Sequence, residues 1–192
     1  MKKKADRLRK RDFKKCVFST VCDCMHIFGY SLMPAIIETT LDGNRLMSFV
    51  ACDNSKQCAI IYDYQKFQKA FGERDKEYNL ISLAYIVAHE MRHYYQHRQI
   101  FAKVPKERRE VVDDWRNDTE LKISCEKREY YGNVREIDAF AFAYRYCANR
   151  GRVLVRDVGV PKHYRKVMQG YTKKSFGITP SIFSKKFDKY FD

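Results

Sequence analysis

His89, Glu90 and His93 stand in the order His-Glu-Met-Arg-His inside the stretch AYIVAHEMRHYYQHR, Ala84 to Arg98, which holds three of the chain's five histidines. On an α-helix, residues four apart lie one above the other, about 6 Å along the axis, so the two imidazoles would project from one face and share one divalent ion. Glu90 is turned by about 100° from His89, within reach of a water beside that ion without taking a ligand position. That is where a general base belongs. Zinc lowers the pKa of its water towards about 7, and a carboxylate can take the proton as the water attacks an amide carbonyl. The spacing therefore points to zinc-dependent peptide-bond hydrolysis, with His89 and His93 as metal ligands and Glu90 as the catalytic residue.

His97 continues the row but lies about 12 Å along the axis from His89, too far for one ion with bonds near 2 Å. It is read as a solvated or substrate-edge residue. The extended metzincin pattern would need glycine at Gln96 and histidine at Gln99, and it is excluded. A catalytic zinc wants three protein ligands and an open position, which sends the search to a second helix. The run Arg135-Glu136-Ile137-Asp138-Ala139-Phe140-Ala141-Phe142 places two carboxylates among alanines and aromatics, where burial is costly unless a cation offsets it. Glu136 is the favoured third ligand. Against this, Asn133-Val-Arg-Glu136 is a capping-box pattern in which Glu136 would only fold back onto the helix start. Asp138 lies on another face, as the alternative metal ligand or as a hydrogen-bond partner of a ligating histidine.

HEMRHYYQ followed roughly forty residues later by REIDAFAFAY resembles the zincin-type metallopeptidases of the gluzincin branch. The resemblance is nearest to the small ImmA/IrrE-like peptidases of bacteria and mobile elements, whose second signature has the form Glu-x-Glu-Ala-Asn-x-Phe-Ala. It covers about Asn79 to Cys147 and implies zinc held by His89, His93 and Glu136, with Glu90 as base. It also implies that an edge strand of the preceding sheet receives an extended protein or peptide substrate by strand addition. Many gluzincins carry Asp or Asn four residues after the glutamate ligand, where this chain has Phe140, so support for a zinc histidine must come from elsewhere, with Asp138 the candidate. A donor for the developing oxyanion is also needed, and Tyr94, Tyr95, Tyr130, Tyr131 and Arg135 are near in sequence. Cys22, Cys24 and His26 lack a partner pair at ligand spacing, and the two cysteines read as buried thiols.

These residues need elements to position them. Apolar positions at Leu8, Phe13, Val17, Val21 and Met25 predict a helix over Ala5 to Ile27. Ile36 to Thr40, Leu46 to Cys52 and Ala59 to Tyr62, punctuated by Asp42-Gly43-Asn44 and Asn54-Ser55, predict a three-stranded antiparallel meander. A short helix over Gln65 to Phe71 would end on a left-handed Gly72. The histidine helix, amphipathic by its pattern, would be capped by Asn79 or Ser82 and run to Arg98. A surface helix over Pro105 to Asp118 carries Trp115. The carboxylate helix runs from Gly132 and Asn133 to Asn149, and another is expected over Pro161 to Met168. The expected fold class is α+β and zincin-like: a small antiparallel sheet packed on the His-Glu-x-x-His helix, plus a second ligand-bearing helix.

At 192 residues the chain is expected to form one domain, residues 1–192, with basic extensions at both ends. Hydrophobic residues at 45% and aromatics at 15% exclude a largely disordered chain. A formal charge of +14, concentrated towards the termini, favours polyanions. This motivates a rival reading, a basic nucleic-acid-associated regulatory protein that retains a zinc-binding scaffold. A non-catalytic structural zinc site is a third. Seven scattered cysteines read as reduced thiols, and no run approaches a membrane span or a secretory signal, so a cytoplasmic location is expected.

Overall fold

A computed structural model describes residues 8–51, 57–72, 74–120 and 133–149. Cys52, the Asn54-Ser55 turn, Cys125, Tyr130, Tyr131, the helix expected over Pro161 to Met168 and most of both basic extensions lie outside them. The fold is α+β, with five helices and one three-stranded sheet among the described residues: α1 Lys10–Phe28, β1 Ala35–Glu38, β2 Met47–Ala51, β3 Cys58–Tyr62, α2 Tyr64–Phe71, α3 Lys76–Ile100, α4 Arg109–Glu120 and α5 Val134–Asn149. The chain divides into two compact units, with the dividing point inside α3 between Met91 and Arg92.

In the first unit, α1 buries Phe13, Val17, Val21 and Cys24 along one stripe. It stops at Gly29, whose φ of 64° is the left-handed cap that glycine adopts without strain. Phe13 anchors this core, its ring 5.2 Å from Tyr62, 5.1 Å from Tyr64 and 5.1 Å from Phe67. Edge-on aromatic clusters of this kind combine large apolar burial with favourable quadrupole geometry.

The sheet is not the expected meander. Its order is β1-β3-β2, with β1 parallel and β2 antiparallel to β3. The physical reason lies in burial and in the loop. β3, CAIIY, buries Cys58, Ile60 and Tyr62, whereas β1 is largely exposed, so the most apolar strand takes the centre. Residues 39–46 do not close a hairpin. Asp63 ties them down, accepting from the Leu41 amide at 3.2 Å, and the Lys66 ammonium bonds the Leu41 and Gly43 carbonyls. Thr39 N–H then continues the β1 ladder onto the Tyr62 carbonyl at 2.9 Å. Asp63 also caps α2, accepting from Lys66 N–H at 2.9 Å. α2 ends on Gly72 in right-handed geometry, φ −63°, rather than the left-handed form expected. Glycine is required there for a different reason, since a Cβ would strike the Gln68 carbonyl oxygen.

α3 begins earlier than expected. Asp75 accepts from Tyr78 N–H at 2.7 Å and is the cap, leaving Asn79 and Ser82 inside the helix and buried. The amphipathic expectation also fails. From Ile81 to Gln99 every residue is buried except Ile86, Glu90 and Arg98, which are half-buried. A helix enclosed this completely must satisfy its polar side chains internally.

In the second unit, α4 is amphipathic rather than a plain surface helix, with Val111, Val112 and Trp115 fully buried. Asn133 caps α5, its Oδ1 accepting from the Arg135 and Glu136 amides at 3.0 and 3.1 Å. Asp118 of α4 also accepts from the Arg135 amide, at 2.9 Å. The small residues Ala139, Ala141 and Ala143 are completely buried, which lets the α5 backbone pack closely.

Candidate metal centre

α3 sets His89 and His93 one turn apart, and α5 delivers Glu136. One ligand atom from each lies within 4.8 Å of the others. His93 Nε2 and Glu136 Oε1 are 3.3 Å apart. Two donors about 2.0 to 2.1 Å from one tetrahedral ion would be separated by about 3.3 to 3.4 Å, so the His93–Glu136 pair has the spacing of two ligands of one ion. Two imidazoles and a carboxylate are a borderline-soft donor set suited to zinc. The helix cap at Asn133 forms without drawing the Glu136 carboxylate away from His93.

Glu90 follows His89 and is half-buried. Its Oε2 accepts from the Phe49 N–H at 2.7 Å. Phe49 lies on β2, an edge strand paired only with β3 among the described strands. Sheet edge and carboxylate are thereby tied in the first unit, which orients Glu90 through one oxygen.

Asp138 is completely buried and outside the three-residue group. Its Oδ2 accepts from Arg92 Nε at 2.7 Å and its Oδ1 from Arg92 Nη2 at 3.1 Å, a two-point pairing of guanidinium with carboxylate. Gln96 Nε2 donates to the same Oδ2 at 2.7 Å, and Gln96 Oε1 faces His93 Nδ1 at 2.9 Å. Asp138 thus reaches the histidine at one remove. Burial works against the charge on Arg92, but the attraction of Asp138 and its hydrogen bonds prevail and hold the guanidinium above its usual range. The rings of Tyr95, Trp115 and Phe142 surround it at 4.5, 5.3 and 5.6 Å.

His97 is buried rather than solvated, its ring 4.7 Å from that of Phe101. Of the oxyanion candidates, Tyr94 is core and Tyr95 directs its hydroxyl at Glu107, 3.5 Å away. Arg135 is half-buried; burial pulls its pKa down, and Asp118 and Glu136 partly restore it. Among the described residues, Cys22, Cys24 and His26 belong to no potential metal group. Cys16, Cys22, Cys24, Cys58 and Cys147 are thiols; Cys24 is buried as expected, whereas Cys22 is exposed. Sequence reasoning passed over Arg92 and Gln96. Gln96 is three residues from His93 and four from Arg92, the spacing of helix neighbours, and that was the available signal.

No described helix is long and apolar enough to cross a membrane. Compared with protein-family models, with curated proteins and with solved structures, the chain finds no match in any of the three.

Proposed function

We propose that this chain is a zincin-like, zinc-dependent peptidase in which His89, His93 and Glu136 hold the metal and Glu90 is the base. The observation that carries the reading is the grouping of those three donor side chains; in the first unit, the Glu90 carboxylate is bonded to the β2 edge. When bound, zinc supplies a Lewis acid that acidifies water and polarises an amide carbonyl. Glu90, oriented by the Phe49 amide, accepts the proton of the attacking water and returns it to the departing amine. The edge of β2 offers backbone groups along which an extended peptide can align. Among the candidates to steady the developing oxyanion, Arg135 is half-buried and interacts electrostatically with Glu136.

The test is Glu90→Gln. It should abolish cleavage of a mixed peptide library, read by mass spectrometry, while zinc content stays stoichiometric. Equal cleavage by the variant would remove the mechanism, and wild-type protein lacking affinity for zinc would remove the site.

The charge of +14 favours a second role, binding of nucleic acid through the basic extensions. Arg9, Lys10, Arg11, Lys14 and Lys15 of the first helical turns are exposed, although Lys10 and Lys14 pair with Glu38. Affinity for duplex DNA that falls steeply with salt would support that role; no binding at low salt would end it.

A further inference from the structure

We propose that Gln96 is the positioning residue of the metal centre: its side-chain carbonyl locks His93 in the Nδ1–H tautomer, and the Arg135 carbonyl and the Arg92–Asp138 pair lock Gln96. The proposal deepens the zinc-site reading, on which its affinity readout rests; its tautomer readout does not.

The chemistry of the neighbours determines the amide's orientation. Gln96 contacts the Arg135 backbone carbonyl at 2.9 Å and Asp138 Oδ2 at 2.7 Å with the same terminal atom. A carbonyl can only accept, and both oxygens of Asp138 already receive hydrogens from Arg92. The atom facing them must therefore be the NH₂ group, with one hydrogen for each. The opposite atom, 2.9 Å from His93 Nδ1, is then the carbonyl oxygen, which accepts. Nδ1 must donate to it, so in the neutral ring Nε2 carries the lone pair, and Nε2 is the atom 3.3 Å from Glu136. Gln96 is itself completely buried, as is Asp138, so neither partner has solvent as an alternative.

The arrangement also explains why a neutral amide occupies a position where a carboxylate would give stronger support to a metal-bound imidazole. A carboxylate at residue 96 would lie against Asp138, and two like charges at hydrogen-bond distance destabilise one another. An amide alone can donate to Asp138 and accept from His93. Asp138 and Arg92 reach the histidine through it.

Two measurements test this. In metal-free wild-type protein at about pH 9, above the ordinary imidazole range, two-bond ¹H–¹⁵N correlation spectra should show His93 as the Nδ1–H tautomer. Gln96→Leu should relax it towards the Nε2–H form and weaken zinc about 10- to 100-fold in competition with a chelator. Gln96→Glu should also weaken zinc, against the usual advantage of a carboxylate. Circular dichroism establishes that each variant is folded; if Gln96→Leu does not fold, the wild-type tautomer alone decides. An Nε2–H tautomer in wild-type protein overturns the proposal. So does a folded Gln96→Leu variant that binds zinc as tightly as wild type, or a Gln96→Glu variant that binds it more tightly. Wild-type protein with the Nδ1–H tautomer but no zinc affinity would uphold the clamp on His93 and overturn the zinc reading instead.

Discussion

Replacing Asp138 with Asn keeps the size and shape of the side chain and removes only its charge, leaving the Arg92 guanidinium buried opposite an amide. In the folded protein Asp138 accepts three hydrogen bonds, at 2.7 and 3.1 Å from Arg92 and 2.7 Å from Gln96, with no exposure to water. Removing one partner of a buried pair costs about 3 to 5 kcal/mol. Two features soften the loss: Glu107 approaches Arg92 at 3.9 Å, and three aromatic rings face the guanidinium. The lower end, about 3 kcal/mol, is therefore expected, a large share of a typical stability of about 5 to 15 kcal/mol. Urea denaturation should be followed by Trp115 fluorescence, because the chain's single tryptophan lies 5.3 Å from the guanidinium in the second unit. Arg92→Met should cost a similar amount, and the double variant much less than the sum, with a coupling above about 2 kcal/mol. A loss below about 1 kcal/mol for Asp138→Asn, or additivity in the double variant, would refute the view that this pair is a charge-neutral unit.

The same two units offer further tests. Burial raises the pKa of Glu107, with the Arg92 charge only partly opposing it. The folded state then holds this proton more tightly than the unfolded state, so stability from this group is full at acid pH and falls as pH rises through the raised value. Relative to wild type, Glu107→Gln should gain stability above about pH 4; a constant difference across pH would contradict this. Asp63 has its pKa lowered, first by the Lys66 amide and, to a lesser extent, by the Leu41 amide, against the opposing effect of burial. Its contribution is present at neutral pH and lost as pH falls through that lowered value. Asp63→Ala should destabilise by about 1 to 2 kcal/mol at pH 7 in thermal or urea melts, as loss of a helix cap does. Glu136→Ala should weaken zinc at least as much as Gln96→Leu, read by the same chelator competition, if the carboxylate on α5 is the third ligand.

Sequence spacing by itself determined which residues share a helix face. Helical geometry repeats every 3.6 residues, so His89 and His93 had to stand one turn apart once α3 formed, with Glu90 beside them. The cap at Asn133 and the alternation of mixed α and β elements are local in the same sense. Tertiary structure alone decided what each face meets. The Asp42-Gly43-Asn44 signal suggested a hairpin, but the apolar β3 took the centre of the sheet and Asp63 drew the loop away. Glu136 and Asp138 are two residues apart on α5, and only packing sends one towards His93 and the other to Arg92. Burial on nearly every side of α3 enclosed Arg92 and Gln96 and made His97 a buried residue rather than the expected solvated or substrate-edge one. Local periodicity specifies direction from an axis, whereas the partner waiting there is set by contacts between segments far apart in the chain, which no short window of sequence contains.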